Sequence, residues 1–217
     1  MINNLVIFGD SYSTYKGYIP EGYAHYYFPE EAGPDQEAVM SMELDSTWWR
    51  RFIARTGANL VLNDSWSGAT ICYTGYLGDC STTSSFIYRY RRLLGENFFE
   101  KNKIDTVIVF GGTNDSWCPA LLGERKPEGQ TEEDLYTVLP AISHLMSSMK
   151  AELVGVRIVF IANCDIDTEI VELMKDEGER LGIEVVELSG VDKSAGHPTV
   201  LGMEQICNQV IDVLGCK

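Results

Sequence analysis

The sequence predicts an α/β fold in which a five-stranded parallel sheet is sandwiched between two layers of helices, as one domain spanning residues 1–217. Three observations carry this expectation. Five short apolar runs, at residues 5–8, 60–62, 106–110, 157–162 and 184–188, are rich in Val and Ile and lack polar alternation, as strands buried on both faces do. Stretches with apolar residues at three–four spacing separate these runs, which is the alternation of a parallel sheet covered on both sides. A chain of 217 residues is long enough for one well-buried core and short for two.

The elements follow in order. The first strand, 5–8, ends abruptly at Gly9-Asp10-Ser11. Residues 12–45 are punctuated by Gly17, Pro20, Gly22, Pro29, Gly33 and Pro34 and hold six of the eleven tyrosines, an aromatic-rich insertion expected to wall or cover a site. Residues 47–55 predict a helix with Trp48, Phe52 and Ile53 on one side, and 60–62 the second strand. Residues 84–100 carry a weaker helical pattern. After the strand at 106–110 comes a Pro/Gly loop, 117–130, and then a helix over 131–150 with Leu135, Val138, Leu139, Ile142, Leu145, Met146 and Met149. Helices over 166–181 and 198–214 flank the last strand.

Composition narrows the function classes. A net charge of -15 argues against nucleic acid or an anionic membrane surface as partner. No segment approaches the roughly 18 uninterrupted apolar residues of a membrane span, and Met1 to Asn4 carries no basic residue of a leader, so the chain reads as cytoplasmic. The six cysteines contain no CxxC pair or zinc-type spacing, and reduced thiols are expected.

The residues after the strands carry the chemistry. Gly9-Asp10-Ser11 follows the first, Asn63-Asp64-Ser65-Trp66-Ser67-Gly68 the second, Gly111-Gly112-Thr113-Asn114-Asp115 the third, and "VDKSAGHPT", with His197, the fifth. In open α/β sheets a site forms beyond the carboxyl ends of the strands. A hydroxyl, an imidazole and small residues with free donors are what acyl transfer needs.

The four blocks "FGDSYS", "NDSWSG", "GGTND" and "GHPTVLGM" resemble, in order and over nearly the whole chain, those of the SGNH hydrolases, the GDSL-type esterases and lipases. The resemblance implies a flavodoxin-like fold and an esterase mechanism without a metal or other cofactor. It implies Ser11 as nucleophile, His197 as base, and an oxyanion hole from the N–H groups of Ser11 and Gly68 and the Asn114 amide. The sequence departs from the family in one place: where an aspartate usually stands three residues before the histidine, this chain has Ser194. The nearest carboxylate is Asp192, five before, and it is the expected partner of His197 if the loop bulges; otherwise Ser194 or a backbone carbonyl holds the ring. His197 is expected where the last helix begins, with Pro198 in its first turn.

Tyr12, Tyr15, Tyr26 and Trp117 are the candidate substrate contacts, with packing of the long loop as the plainer role. The resemblance and the tyrosines together point to a small polar ester, an acetylated sugar above all, while lipid esters and thioesters stay open. Other classes compete with this reading. Asp10, Asp115, Asp165 and Asp167 stand near strand ends, as Mg²⁺ ligands for phosphoryl transfer would, but Tyr12 occupies the position of a haloacid-dehalogenase second aspartate and no GxxxxGK[ST] loop occurs. The third class is a carbohydrate-binding module that keeps the fold without the catalysis.

Overall fold

Each apolar run becomes a strand in the computed structural model, which describes residues 2–29 and 41–215. The strands are β1 (Asn4–Gly9), β2 (Asn59–Ser65), β3 (Thr106–Phe110), β4 (Arg157–Ala162) and β5 (Glu184–Glu187), all parallel, in the order β2-β1-β3-β4-β5. This is the flavodoxin-like order, whose switch point lies between β1 and β3. Gly9 pairs with both Ser65 and Phe110, so the carboxyl ends of the three strands around that point are level.

Successive strand residues face opposite layers. Val6, Phe8, Val107, Val109 and Phe160 pack into one core with α2 (Phe86–Gly95), α5 (Val138–Glu152) and α6 (Thr168–Leu181). Leu5, Ile7, Ile108, Phe110, Val159 and Ile161 form the other with α1 (Trp48–Thr56) and α7 (Val200–Leu214), where Trp48 and Trp49 are fully buried. Two short helices complete the set, α3 (Phe98–Asn102) and α4 (Thr113–Trp117). Among the described residues no helix is long and apolar enough to cross a membrane.

The helix starts differ from the sequence expectation, each for a local reason. The helix expected over 131–150 begins only at Val138, after a 3₁₀ turn at Asp134–Tyr136. Pro140 has no N–H and is tolerated only in a first turn, so the helix opens just ahead of it. The stretch 84–100 yields two helices, because Asn97 takes a left-handed conformation (φ 54°). α6 starts after Asp167, whose carboxylate accepts from the Glu169 N–H at 2.9 Å. α7 starts after Thr199, whose hydroxyl accepts from the Gly202 N–H at 3.2 Å. Pro198 therefore lies outside that helix: His197–Pro198 pairs antiparallel with Lys193–Ser194 in a small hairpin. Of the aromatic-rich insertion expected over 12–45, residues 30–40 lie outside the described residues.

Candidate active site

The turn after β1 is built from side chains too small or too polar for a core. A Cβ at Gly9 would run into the Ser13 side chain and come within 2.5 Å of Ser65 Oγ, so only glycine lets β1 pass so close to β2. Asp10 caps the single 3₁₀ turn Ser11–Ser13, its Oδ1 accepting the Tyr12 N–H at 3.0 Å. The second block braces the same turn: Asn63 Nδ2 donates to the Ser13 carbonyl at 2.9 Å, and Trp48 Nε1 to Ser13 Oγ at 3.1 Å. Fully buried Arg89, on α2, donates to the carbonyls of Asp64 and Gly9, holding the ends of β2 and β1 together. Ser11 thus sits on a rigid turn at the switch point, with 5% of its surface exposed.

Asp10 is completely buried, and its Oδ2 has no hydrogen-bond partner among the described residues. Burial, countered by the Tyr12 N–H, pushes its carboxyl up to about 7.

Opposite the turn, Gly68 takes φ 80°, a left-handed conformation suited to glycine. Asn114 lies on α4, which Gly112 opens at φ 93°. Its Nδ2 donates to the Ala69 carbonyl at 2.9 Å, and its Oδ1 accepts from the Tyr76 hydroxyl at 3.2 Å. Those two bonds fix the amide and, among the described residues, leave its second N–H hydrogen spare. The Asp115 carboxylate accepts the N–H groups of Ile71 at 2.9 Å and Cys72 at 3.0 Å, tying the loop after Gly68 to α4.

His197 comes from the hairpin. Its two central residues, Ala195 (φ 48°) and Gly196 (φ 78°), both have positive φ, as a type I′ turn requires. Nε2 lies 3.0 Å from Ser11 Oγ, and Nδ1 lies 3.3 Å from the Ala195 carbonyl oxygen. A carbonyl only accepts, so Nδ1 carries the proton and the Nε2 lone pair faces the Ser11 hydroxyl. Burial, then the positive charge of Lys193, hold the imidazole below its usual range, while the Ala195 carbonyl pulls the other way. The ring is therefore neutral at pH 7 and in the tautomer of a base.

The expected Asp192 contact does not form. The Asp192 carboxylate accepts from the Thr199 hydroxyl, and its backbone N–H bonds Gln205 Oε1 at 2.7 Å. The tight hairpin turns Nδ1 back onto a carbonyl of its own loop instead. The structure thus brings together Ser11 and His197, and leaves Asp192 supporting the start of α7.

The tyrosines divide. Tyr12 and Tyr15 are buried in the core under α1 and α7 and are packing residues, a correction of the expectation that they touch substrate. Tyr26 stacks on His197, with centroids 3.6 Å apart and planes within 5°. Trp117, 41% exposed, stands edge-on to the same ring at 6.4 Å. Sequence reasoning passed over Tyr76, which orients Asn114, and Lys193, whose ammonium binds Asn163 Oδ1 at 3.2 Å and the Cys164 carbonyl at 2.9 Å. Nothing in their local sequence marks either one. A cleft of about 300 Å³ opens beside Gly68 between Trp66, Tyr76, Leu77 and Asp79, and an adjoining one shares Trp66 and Thr83 and reaches Tyr23, Tyr88 and Arg92.

The four acids considered as metal ligands are engaged separately: Asp10 and Asp115 with backbone N–H groups, Asp167 as a cap, Asp165 with Lys193 at 3.3 Å. Cys72, Cys80, Cys118, Cys164 and Cys207 are free thiols, and Cys216 lies outside the described residues.

Comparison with known proteins bears on the family and the fold. The family model for the GDSL-like lipase/acylhydrolases matches residues 3–214. A Bacteroides ovatus structure assigned to the GDSL-like lipases is 36% identical, with a TM-score of 0.87 and all of both chains covered. A second, from Bacteroides uniformis, is 37% identical, with a TM-score of 0.87, covering 99% of this chain and 96% of the other. An acetylxylan esterase of Geobacillus stearothermophilus shares the fold at 13% identity, with a TM-score of 0.59 and coverage of 99% and 95%. No curated protein matches the chain.

Proposed function

This chain belongs to the GDSL-like lipase/acylhydrolase family, and from that premise we propose that it is a serine esterase acting on small polar esters, an acetyl ester on a carbohydrate foremost. The single observation that carries the reading is the 3.0 Å contact between Ser11 Oγ and His197 Nε2, in the tautomer that accepts a proton. Ser11 Oγ attacks the ester carbonyl carbon as Nε2 takes its proton. The oxyanion is met by the N–H groups of Ser11 and Gly68 and by the spare Asn114 hydrogen. Among the described residues the Gly68 N–H has no acceptor, as a donor waiting for an oxyanion requires. The imidazolium then gives its proton to the leaving alcohol, and water cleaves the acyl-enzyme by the same route in reverse.

The carbohydrate part of the reading rests on the cleft beside Gly68. Its aromatic rims (Trp66, Tyr76, Tyr23 and Tyr88) interleaved with Thr83 and Asp79 suit the apolar faces and hydroxyl edges of sugar rings. The shared fold with an acetylxylan esterase points the same way. A second reading, a carbohydrate-binding module with impaired catalysis, is favoured by one observation: Nδ1 faces a carbonyl and not a carboxylate.

Hydrolysis of p-nitrophenyl acetate and of acetylated xylo-oligosaccharides by wild type and Ser11→Ala, with EDTA present, tests the proposal. The wild type is expected to turn over, and Ser11→Ala to lose at least ~10³-fold while unfolding at the same temperature. A wild type that neither hydrolyses these esters nor takes a fluorophosphonate on Ser11 makes the binding module the answer.

A further inference from the structure

The orientation of His197 raises a question the hairpin alone does not answer. A base in acyl transfer becomes an imidazolium in the transition state, and a carboxylate on Nδ1 normally orients the ring and stabilises that charge. Here Nδ1 meets a neutral carbonyl, while the aromatic loop grips three consecutive residues around the base. The Tyr12 hydroxyl donates to the Gly196 carbonyl at 2.5 Å. The Tyr27 hydroxyl donates to the Pro198 carbonyl at 3.3 Å. Between them Tyr26 lies flat on the imidazole, 3.6 Å away and nearly parallel.

Tyr26 is itself fixed to the nucleophile. Its N–H donates to Thr14 Oγ1 at 2.9 Å, and Thr14 Oγ1 donates to the Ser11 carbonyl at 2.9 Å. Tyr26 also meets Tyr27 edge-on at 5.0 Å, and the Ala24 carbonyl two residues back accepts the Ser67 N–H at 2.9 Å. One short strap thus fixes ring, hairpin and nucleophile turn together.

We propose that Tyr26 is the positioning residue for the base: its ring face, with the Ala195 carbonyl on Nδ1, orients His197 and stabilises its protonated form in the place of an acid. The negative face of an aromatic ring attracts a cation within about 6 Å, more strongly where water is kept out. The groups around the imidazole are the Ser11 hydroxyl, the rings of Tyr12, Tyr26 and Trp117, and the Lys193 ammonium, which is paired with Asp165. Of these, only Lys193 carries charge at pH 7, and it opposes the imidazolium. The attraction must therefore come from the ring and the carbonyl. The inference rests on the esterase reading for its consequence in rate, and on the ring contact alone for its consequence in titration.

Tyr26→Leu keeps an apolar cover over the imidazole and removes the π face; Tyr26→Phe keeps the face and removes the hydroxyl. The histidine titrations are followed by NMR in each protein, with His197 assigned among the three histidines through His197→Gln, alongside pH profiles with p-nitrophenyl acetate. In Tyr26→Leu the His197 midpoint and the acid limb of kcat/KM are expected to move down together by roughly 0.5–1 pH unit, and kcat to fall about 3–10-fold with KM little changed. Tyr26→Phe is expected to restore most of both. An unmoved His197 midpoint in Tyr26→Leu overturns the proposal. So does a raised KM with kcat intact, which would make Tyr26 a substrate contact, or a Tyr26→Phe variant as impaired as Tyr26→Leu. If no protein in the set hydrolyses an ester, the esterase reading fails, and the NMR midpoints still decide whether the ring stabilises the imidazolium.

Discussion

Asp10 stands next to the proposed nucleophile, at the start of the 3₁₀ turn that carries it. It is wholly buried, it accepts one backbone N–H through Oδ1, and burial raises it from 3.8 to about 7. A carboxyl raised in the folded state binds its proton more tightly there than in the unfolded chain. Its stabilising contribution is then complete below about pH 4 and is lost as pH climbs through 7. Asp10→Asn is uncharged throughout and keeps an acceptor for Tyr12, so it removes this slope alone. The melting temperature of wild type relative to Asp10→Asn is expected to fall by several degrees between pH 4 and pH 8. Groups common to both proteins, His197 included, cancel in that difference, and a constant difference across the range would mean that Asp10 is ionised in the fold. Nothing in "FGDSYS" foretells this: the sequence shows an acid in a turn, and only the folded chain shows that its side chain is wholly buried.

At the scale of elements, the site is held by contacts between the ends of strands and the helices behind them. Arg89 is the clearest case, a buried cation on α2 that donates to the Gly9 and Asp64 carbonyls and lies 3.5 Å from Asp64 Oδ1. Arg92 reaches the other oxygen of the same carboxylate at 3.3 Å. Arg89→Met fits the volume but leaves two carbonyls and part of a buried charge unanswered. A loss of about 3–5 kcal/mol is expected in urea unfolding, because removing one partner of a buried pair strands the other. A loss under 1 kcal/mol would show that Arg92 alone suffices for Asp64. The strands were legible because burial on both faces leaves unbroken Val and Ile runs. Helix starts were less so, because Thr199, Asp167 and Pro140 decide them by capping and missing donors rather than by apolar spacing. The hairpin at 193–198 was hidden for a related reason. Counting residues back from His197 to an acid assumes an open loop, whereas a two-residue turn through Ala195 folds Nδ1 onto its own carbonyl and leaves Asp192 to Thr199.

At the scale of the whole molecule, strand order brings four separate sequence blocks to one edge, and net charge acts on any charged substrate that approaches it. The four blocks were legible because each follows a strand, and a parallel sheet puts all such ends on one side. The tyrosines were legible as a group but not in their division of labour, since burial of Tyr12 and Tyr15 and the stacking of Tyr26 depend on how residues 12–29 fold over β1 and the hairpin. The charge of -15 is spread over a small molecule and gives it a negative field that extends beyond the surface. Anionic esters approach such a protein against that field, and neutral ones do not feel it. Raising ionic strength shortens the reach of the field to about 8 Å at 0.15 M and about 3 Å at 1 M. The kcat/KM for an anionic acetyl ester, such as an acetylated uronic-acid oligosaccharide, is therefore expected to rise several-fold between about 0.01 and 0.3 M NaCl, while that for a neutral acetylated xylo-oligosaccharide stays within about twofold. Initial rates at low substrate concentration, measured for both esters across the same salt series, check this directly. If the anionic ester instead loses rate with salt, a local cation such as Arg92 beside Tyr23 and Tyr88 governs its approach, and the cleft is built to receive acidic sugars.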